Sequence, residues 1–267
     1  MSLSLVGASS FALSDLLVPA DLQRGLRRAD DFIRLAVVAS EQVLRSVDEQ
    51  NFSGQRCALV LGSSFATMQT SFDFLDFVVL EQDCSPTLFS HSVFNAAAGY
   101  IGSCLNITGP ALTVIDFSLP FFKALQEAET LLAGEGPDYC LLLQVETYSE
   151  LLVDRRQKIV AGGNHWPPGV VCWLLQKPDR ADRRGCLLEK LKVEPRMAEP
   201  RRLLAFEEQL FWGRRCQHLD HPLAAAMALT AGLAECGTLD TDVTIEGEQG
   251  RATMRLEMQS PLTDVTA

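Results

Sequence analysis

The chain is short of positive charge: 23 lysines and arginines stand against 34 acids, a formal net charge of −11 over 267 residues. Nucleic acid and anionic membrane surfaces are bound by clustered Lys and Arg, so neither is expected as a main partner. No basic residue precedes Arg24, and the apolar start at 1–8 therefore lacks the charged leader of a signal peptide. No stretch approaches the about 20 consecutive apolar residues that a membrane helix needs. The eight cysteines, at 57, 84, 104, 140, 172, 186, 216 and 236, form no CxxC pair. Most lie inside apolar runs such as Cys140-Leu141-Leu142-Leu143, which reads as reduced, buried thiols in an unexported cytoplasmic protein. Internal repeats and low-complexity linkers are lacking as well. What remains is ordinary for a globular protein, with 47% hydrophobic and 21% charged residues. That length supports one sizeable α/β domain or two small ones.

Apolar runs and helical periodicities alternate along the chain. Strands are expected at 3–8, 56–61, 111–115, 139–145, 170–175 and 186–193, with a closing hairpin of 243–245 and 252–256 across Gly247 and Gly250. Helices are expected at 27–47, 67–80, 92–103, 121–132 and 222–234, with a loop at 83–86. Alternating strand and helix implies an α/β layered fold. The irregular stretches 177–185 and 195–202 mark the expected seam between a tight region, 1–176, and a looser one, 177–267.

One local constellation draws attention. Asp116-Phe117-Ser118-Leu119-Pro120 puts a serine on a sharp strand-to-helix turn, where a nucleophile gains exposure and nearby helix amides. The turn lacks the flanking glycines of a G-x-S-x-G elbow, and serine is also a favoured helix N-cap, so capping is the first reading and nucleophile the second. Asp116 suggests half of a dyad with Ser118, since alternate strand positions share a face. Cys216, His218 and His221 are near in sequence, but Cys-x-His-x-x-His is not a standard zinc spacing, and the segment reads as an exposed polar turn entering the alanine-rich helix. No metal or cofactor is expected.

Several ordered segments together resemble the N-terminal half of β-ketoacyl-acyl-carrier-protein synthases. Arg27-Arg28-Ala29-Asp30-Asp31-Phe32 is similar to the R-R-x-D-x-F that opens the family's first long helix. Asn95-Ala96-Ala97-Ala98-Gly99, then Gly109-Pro110, then Ala124-Leu125-Gln126-Glu127-Ala128 follow the family's N-x-A-A-G, Gly-Pro turn and A-[IL]-x-E-A helix. Gln144-Val145-Glu146 stands where the family has a Gly-Gly-x-Glu stretch, and Ser85-Pro86 precedes its pocket-lining segment. Counting from Gly109-Pro110 to Glu127-Ala128 needs no gap, and it puts Ser118 in the place of the catalytic cysteine. The resemblance is specific over 29–146 and weak afterwards. Neither of the family's two histidine motifs is intact. Asp220-His221-Pro222 distantly resembles the helix of the second, and the turn at Gly247 and Gly250 stands where a glycine-rich gate loop would be.

The resemblance implies a thiolase-like layered αβαβα fold with an intact N-terminal half and a shortened C-terminal half. It also implies a subunit without the acyl-accepting thiolate, and at best one weak histidine remnant, His221. Relatives with a substituted nucleophile include chain-length factors, which pair with an active ketosynthase and shape its acyl tunnel. Short examples accompany aryl-polyene and related type II polyketide pathways. On that reading the partners are a β-ketoacyl-acyl-carrier-protein synthase and, through the complex, an acyl carrier protein. Tunnel and interface positions would be Leu88, Phe89, His91, Phe94, Asn95, Ala111, Leu112, Val114, Asp116, Phe117 and Phe121, with Phe94 and Phe117 blocking or flooring the tunnel. His91 points into the tunnel or is a hydrogen-bonded interface histidine. The alternative is a stand-alone acyltransferase or thioesterase with Ser118 as nucleophile and His221 or His91 as base.

Overall fold

The architecture follows from which runs are apolar on both faces and which on one. In a computed structural model of the chain, residues 2–45, 52–160, 165–177, 185–196, 206–235, 240–247, 250–260 and 262 are described. Strands β1 (Ser2–Ala12), β2 (Cys57–Ser63), β3 (Ala111–Ile115), β4 (Tyr139–Glu146) and β5 (Gly169–Gln176) make the first half of one sheet. The second half comprises β6 (Cys186–Pro195), β7 (Glu208–Trp212), β8 (Arg215–Leu219), β9 (Asp240–Gly247) and β10 (Gly250–Met258). Their order is β3-β2-β4-β5-β1-β6-β10-β9-β7-β8. β2 is parallel to β3 and β4, and the other pairings are antiparallel. β1 is the junction: Ser4 and Leu5 pair with Gln176 and Leu175 of β5 on one side, and with Leu187 and Cys186 of β6 on the other.

β4 and β5 are buried at every position, as continuous apolar runs should be when both faces are covered. Helices α1 (Asp31–Arg45) and α4 (Ala96–Leu105) pack on one face of the first half-sheet, against Leu59, Leu61, Leu141, Leu143, Cys172 and Leu174. Helices α5 (Pro120–Ala133) and α7 (Ala224–Glu235) cover the other face. The same two helices share a core with Val243, Ile245, Ala252, Met254 and Leu256 of the second half-sheet. The sheet therefore folds over them, giving layers α–β–α–β. Two apolar helix faces that one half-sheet cannot cover are closed by the other. Along β10 buried positions recur at every second residue, as in a strand with one wet face.

Local chemistry explains why the motif positions form these elements. The Asp30 carboxylate accepts from the Ile33 amide at 3.0 Å, capping α1, and from the Thr70 hydroxyl of α2 (Met68–Leu80) at 2.7 Å, while Phe32 is buried. A Cβ on Gly109 would stand 2.2 Å from the Cys57 carbonyl oxygen, so this turn needs glycine to lie against β2.

The expected strands and the closing hairpin form, β1 running further than expected and the hairpin lengthening to Asp240–Met258. Other expectations are corrected. The helix expected at 92–103 forms as α4, shifted to 96–105 and stopped at Asn106 in the left-handed conformation, and an unexpected short helix precedes it, α3 (Pro86–Ser92), capped by the Ser85 hydroxyl on the Leu88 amide at 3.3 Å. α6 (Glu150–Ile159) was not expected, because Leu151, Leu152 and Val153 cluster instead of recurring at helical spacing. β7 and β8 were not expected either. Cys216 and His218 lie on β8, an exposed edge strand rather than a polar turn, and its polar side chains gave no apolar alternation to read. Cys57, Cys140, Cys172 and Cys186 are buried, but Cys84 and Cys216 are exposed and Cys104 is half-buried. Of the expected seam, 178–184 and 197–202 lie outside the described residues, as do Cys236 and the gate-loop pair at 248–249.

Candidate functional site

The turn from β3 into α5 is built by an aspartate. Asp116 Oδ1 accepts from the backbone amides of both Ser118 and Leu119, each at 2.8 Å. Leu119, not Ser118, takes the cap position of α5, with Pro120 in the first turn, and no side chain caps the helix. Ser118 as N-cap is thus corrected: two residues after it stands Pro120, which has no N–H to give a capping hydroxyl, and the helix takes Leu119 as its cap instead. Asp116 meets Ser118 through the main-chain amide and not, among the hydrogen bonds of the described residues, through the hydroxyl that a dyad would use.

This geometry bears on acyl chemistry. A serine nucleophile at such a turn stabilises the oxyanion with backbone N–H groups at and just after itself. Here those two groups face a carboxylate oxygen. Neither histidine expected as the base, His221 or His91, lines the serine's cavity. Ser118 lines a small cavity with Phe122, Gln144, Glu208, Pro222 and Ala225, whereas His221 lines another with Asp15, His218 and Asp220. Burial lowers the His221 pKa, with Asp220 opposing and Arg156 reinforcing the shift. His91 is buried and hydrogen-bonded, its Nε2 standing 2.9 Å from the Tyr100 hydroxyl.

Beside the turn, β4 ends in a buried polar group. Glu146 is fully buried and accepts from the Ser64 amide at 2.7 Å, the Gln144 side-chain amide at 3.1 Å and the Ser63 hydroxyl at 3.2 Å. Burial pushes its carboxyl up to about 7 against the pull of those hydrogen bonds. The glutamate of the Gln144-Val145-Glu146 motif thereby ties the ends of β4 and β2 together. It does so next to Gly62, where a Cβ would lie 2.6 Å from the Pro120 carbonyl oxygen at the start of α5.

Of the positions expected to line a tunnel or an interface, Phe89, Phe94, Asn95, Ala111, Leu112 and Phe117 are exposed, and Leu88, Val114 and Asp116 are half-buried. Phe121 is buried, its ring edge-on to Trp173 at 4.8 Å in the layer between the half-sheets. The Phe117 ring lies 5.7 Å from Phe65, which meets Tyr148 and Trp166 at 6.0 Å each, and Trp166 meets Phe206 at 6.3 Å. The Arg156 guanidinium sits 4.5 Å above Trp166, whose indole donates to the Asp220 carbonyl at 2.7 Å. Sequence reasoning missed this aromatic cluster, and it missed Glu208. The cluster's members lie far apart along the chain, and the only signal for Glu208 was an acid in register with Leu210 and Trp212.

Residues 15–181 match the family model of the β-ketoacyl synthase N-terminal domain, more of the chain than the motifs alone carried. No curated protein matches the chain in sequence. Among solved structures it is similar to the ishigamide ketosynthase/chain length factor, at 17% identity and TM-score 0.61, over 73% of this chain and 68% of that one. It is similar to a chain of the ketosynthase ApeO in complex with its chain length factor ApeC from Xenorhabdus doucetiae, at 15% identity and TM-score 0.63, over 96% and 99%. A third likeness, at 16% identity and TM-score 0.59 over 73% and 69%, is to AntDE:AntF, a type II PKS acyl-carrier protein in complex with its ketosynthase bound to the hexaketide. The fold is the thiolase-like layered α/β fold of these proteins. The chain belongs to the β-ketoacyl synthase N-terminal-domain family.

Proposed function

We propose that this chain is a non-catalytic, chain-length-factor-like subunit that pairs with an active β-ketoacyl-acyl-carrier-protein synthase and shapes the tunnel into which the growing acyl or polyene chain extends. The observation that carries the reading is the occupied turn at Ser118. The residue in the nucleophile's place is a serine, and the two amides that would serve an oxyanion there face Asp116 instead. A second observation supports pairing. β3 stands at one end of the sheet, with an edge free to add a strand among the described residues. Exposed apolar side chains gather on it and on neighbouring elements: Leu112 on β3, Phe89 on α3, Val93 and Phe94 before α4, and Leu75, Val79 and Leu80 on α2. The likeness to a chain of the ApeO–ApeC complex supports the same reading, because it spans both chains almost entirely and so joins proteins of nearly equal length.

In this reading residues 1–176 form the ketosynthase-like region and 177–267 a shortened region packed on it. The acidic carrier protein docks through the complex, on basic surface supplied by the ketosynthase. Phe94 and Phe117 contribute to the tunnel wall at the subunit boundary. The test is co-expression with a cognate ketosynthase, followed by light scattering on the purified species and a carrier-protein elongation assay. We expect a one-to-one complex that is active only with both chains present, is indifferent to Ser118→Ala, and changes product length on size changes at Phe94 or Phe117. Turnover of acyl thioesters by the isolated chain, abolished by Ser118→Ala, would overturn the reading in favour of a serine acyltransferase or thioesterase.

A further inference from the structure

The cavity beneath the Ser118 turn measures about 10 Å3, close to the room one water molecule occupies. Four segments meet there: the turn into α5 with Ser118, β4 with Gln144, β7 with Glu208, and the turn before α7 with Pro222. Gln144 is fully buried and Glu208 is 2% exposed. The Gln144 amide nitrogen donates to Glu146 at 3.1 Å and to the Pro222 carbonyl at 3.0 Å. A carbonyl only accepts, so the amide's orientation is fixed and its oxygen is turned away from both partners. Gln144 Oε1 and Glu208 Oε1 have no hydrogen-bond partner among the described residues. Two buried oxygens without donors, on residues that line the same water-sized cavity, are the condition that ordered buried water relieves.

We propose that one ordered water molecule occupies this cavity, donates to Gln144 Oε1, bridges to Glu208 Oε1, and rests against the Ser118 hydroxyl, so that it joins β7 to the turn after β3. The hydrogens balance in either state of the glutamate. Towards an ionised Glu208 the water donates both hydrogens to the two orphan oxygens and accepts from Ser118. A protonated Glu208 donates to the water, whose second hydrogen then goes to Ser118 Oγ. Burial pushes the Glu208 carboxyl up to about 8, which favours the protonated arrangement. The groups facing Glu208 across the cavity are Ser118, Gln144, Pro222 and Ala225, and its strand neighbours are Leu219 and Gly247; none of these is charged. Glu146 lies one hydrogen bond further, behind Gln144. This role for Ser118 is structural and goes beyond the subunit's function, since it holds whether or not the chain pairs with a ketosynthase.

A crystal structure of the full chain, alone or in its complex, at a resolution that shows ordered water tests the proposal. We expect a single well-ordered water within hydrogen-bond distance of Gln144 Oε1, Glu208 Oε1 and Ser118 Oγ. An empty cavity overturns it, as does a Glu208 carboxyl bonded directly to Gln144 Oε1. A double-mutant cycle on the full chain gives a second, independent reading. Ser118→Ala and Glu208→Gln each keep the packing, and through a shared water their effects on the urea midpoint are non-additive. Simple addition of the two shifts would sink the idea even if no crystals grow.

Discussion

Two buried carboxyls, Glu146 and Glu208, give the molecule a stability that depends on pH in a definite direction. Burial raises them from an ordinary value of 4.5 to about 7 and about 8, so the folded chain holds protons that the unfolded chain releases. Their contribution is fully present below about 4.5, declines as pH rises through that window, and is lost once pH exceeds about 8. Glu208→Gln should therefore flatten the upper part of the profile and raise the melting temperature at pH 8 relative to the parent, as calorimetry from pH 5 to 9 would record. An unchanged profile in the variant would mean that Glu208 is ionised in the folded chain. At this scale the sequence was legible wherever chemistry is local. The apolar run at 111–115 followed by Asp116-Phe117-Ser118-Leu119-Pro120 put Ser118 at the strand-to-helix turn. It was illegible for Glu208, whose burial is decided by the pairing of β7 with β8 and β9.

Elements were readable in proportion to their burial. β4 and β5, covered on both faces, announce themselves as unbroken apolar runs, whereas α1, expected from 27, starts only at Asp31 behind the Asp30 cap. α6 and β8 escaped because their side chains are largely exposed and carry no period. The contact between β2 and α5 rests on a position where the sequence shows only a glycine before two serines. A methyl group on Gly62 would meet the Pro120 carbonyl oxygen at 2.6 Å and Ala124 Cβ at 3.1 Å, and neither belongs to a flexible side-chain end. Gly62→Ala should push α5 from the sheet and cost about 1–3 kcal/mol by the usual scale of overpacking, read as a lowered urea midpoint. A variant as stable as the parent would show that the helix start yields freely.

For the whole molecule, the exposed apolar side chains around β3 set how it behaves in solution. Phe89 is 57% and Leu112 40% exposed, on a chain whose net charge of −11 otherwise favours solubility. The unpaired chain should associate with itself in a concentration-dependent way. Replacing Phe89 and Leu112 by lysine should suppress both that association and complex formation while leaving the melting temperature within a few degrees, as light scattering and calorimetry would show. Retained complex formation would place the partner elsewhere.

The place of β1 at the centre of the sheet has a consequence for how the chain comes to be folded at all. β1 is flanked by β5 and β6, which end at Gln176 and Pro195, so both of its partners are made long after it. During synthesis the apolar segment Leu3-Ser4-Leu5-Val6 must wait unpaired until those partners emerge. A chaperone that binds short apolar segments would find a long-lived target there.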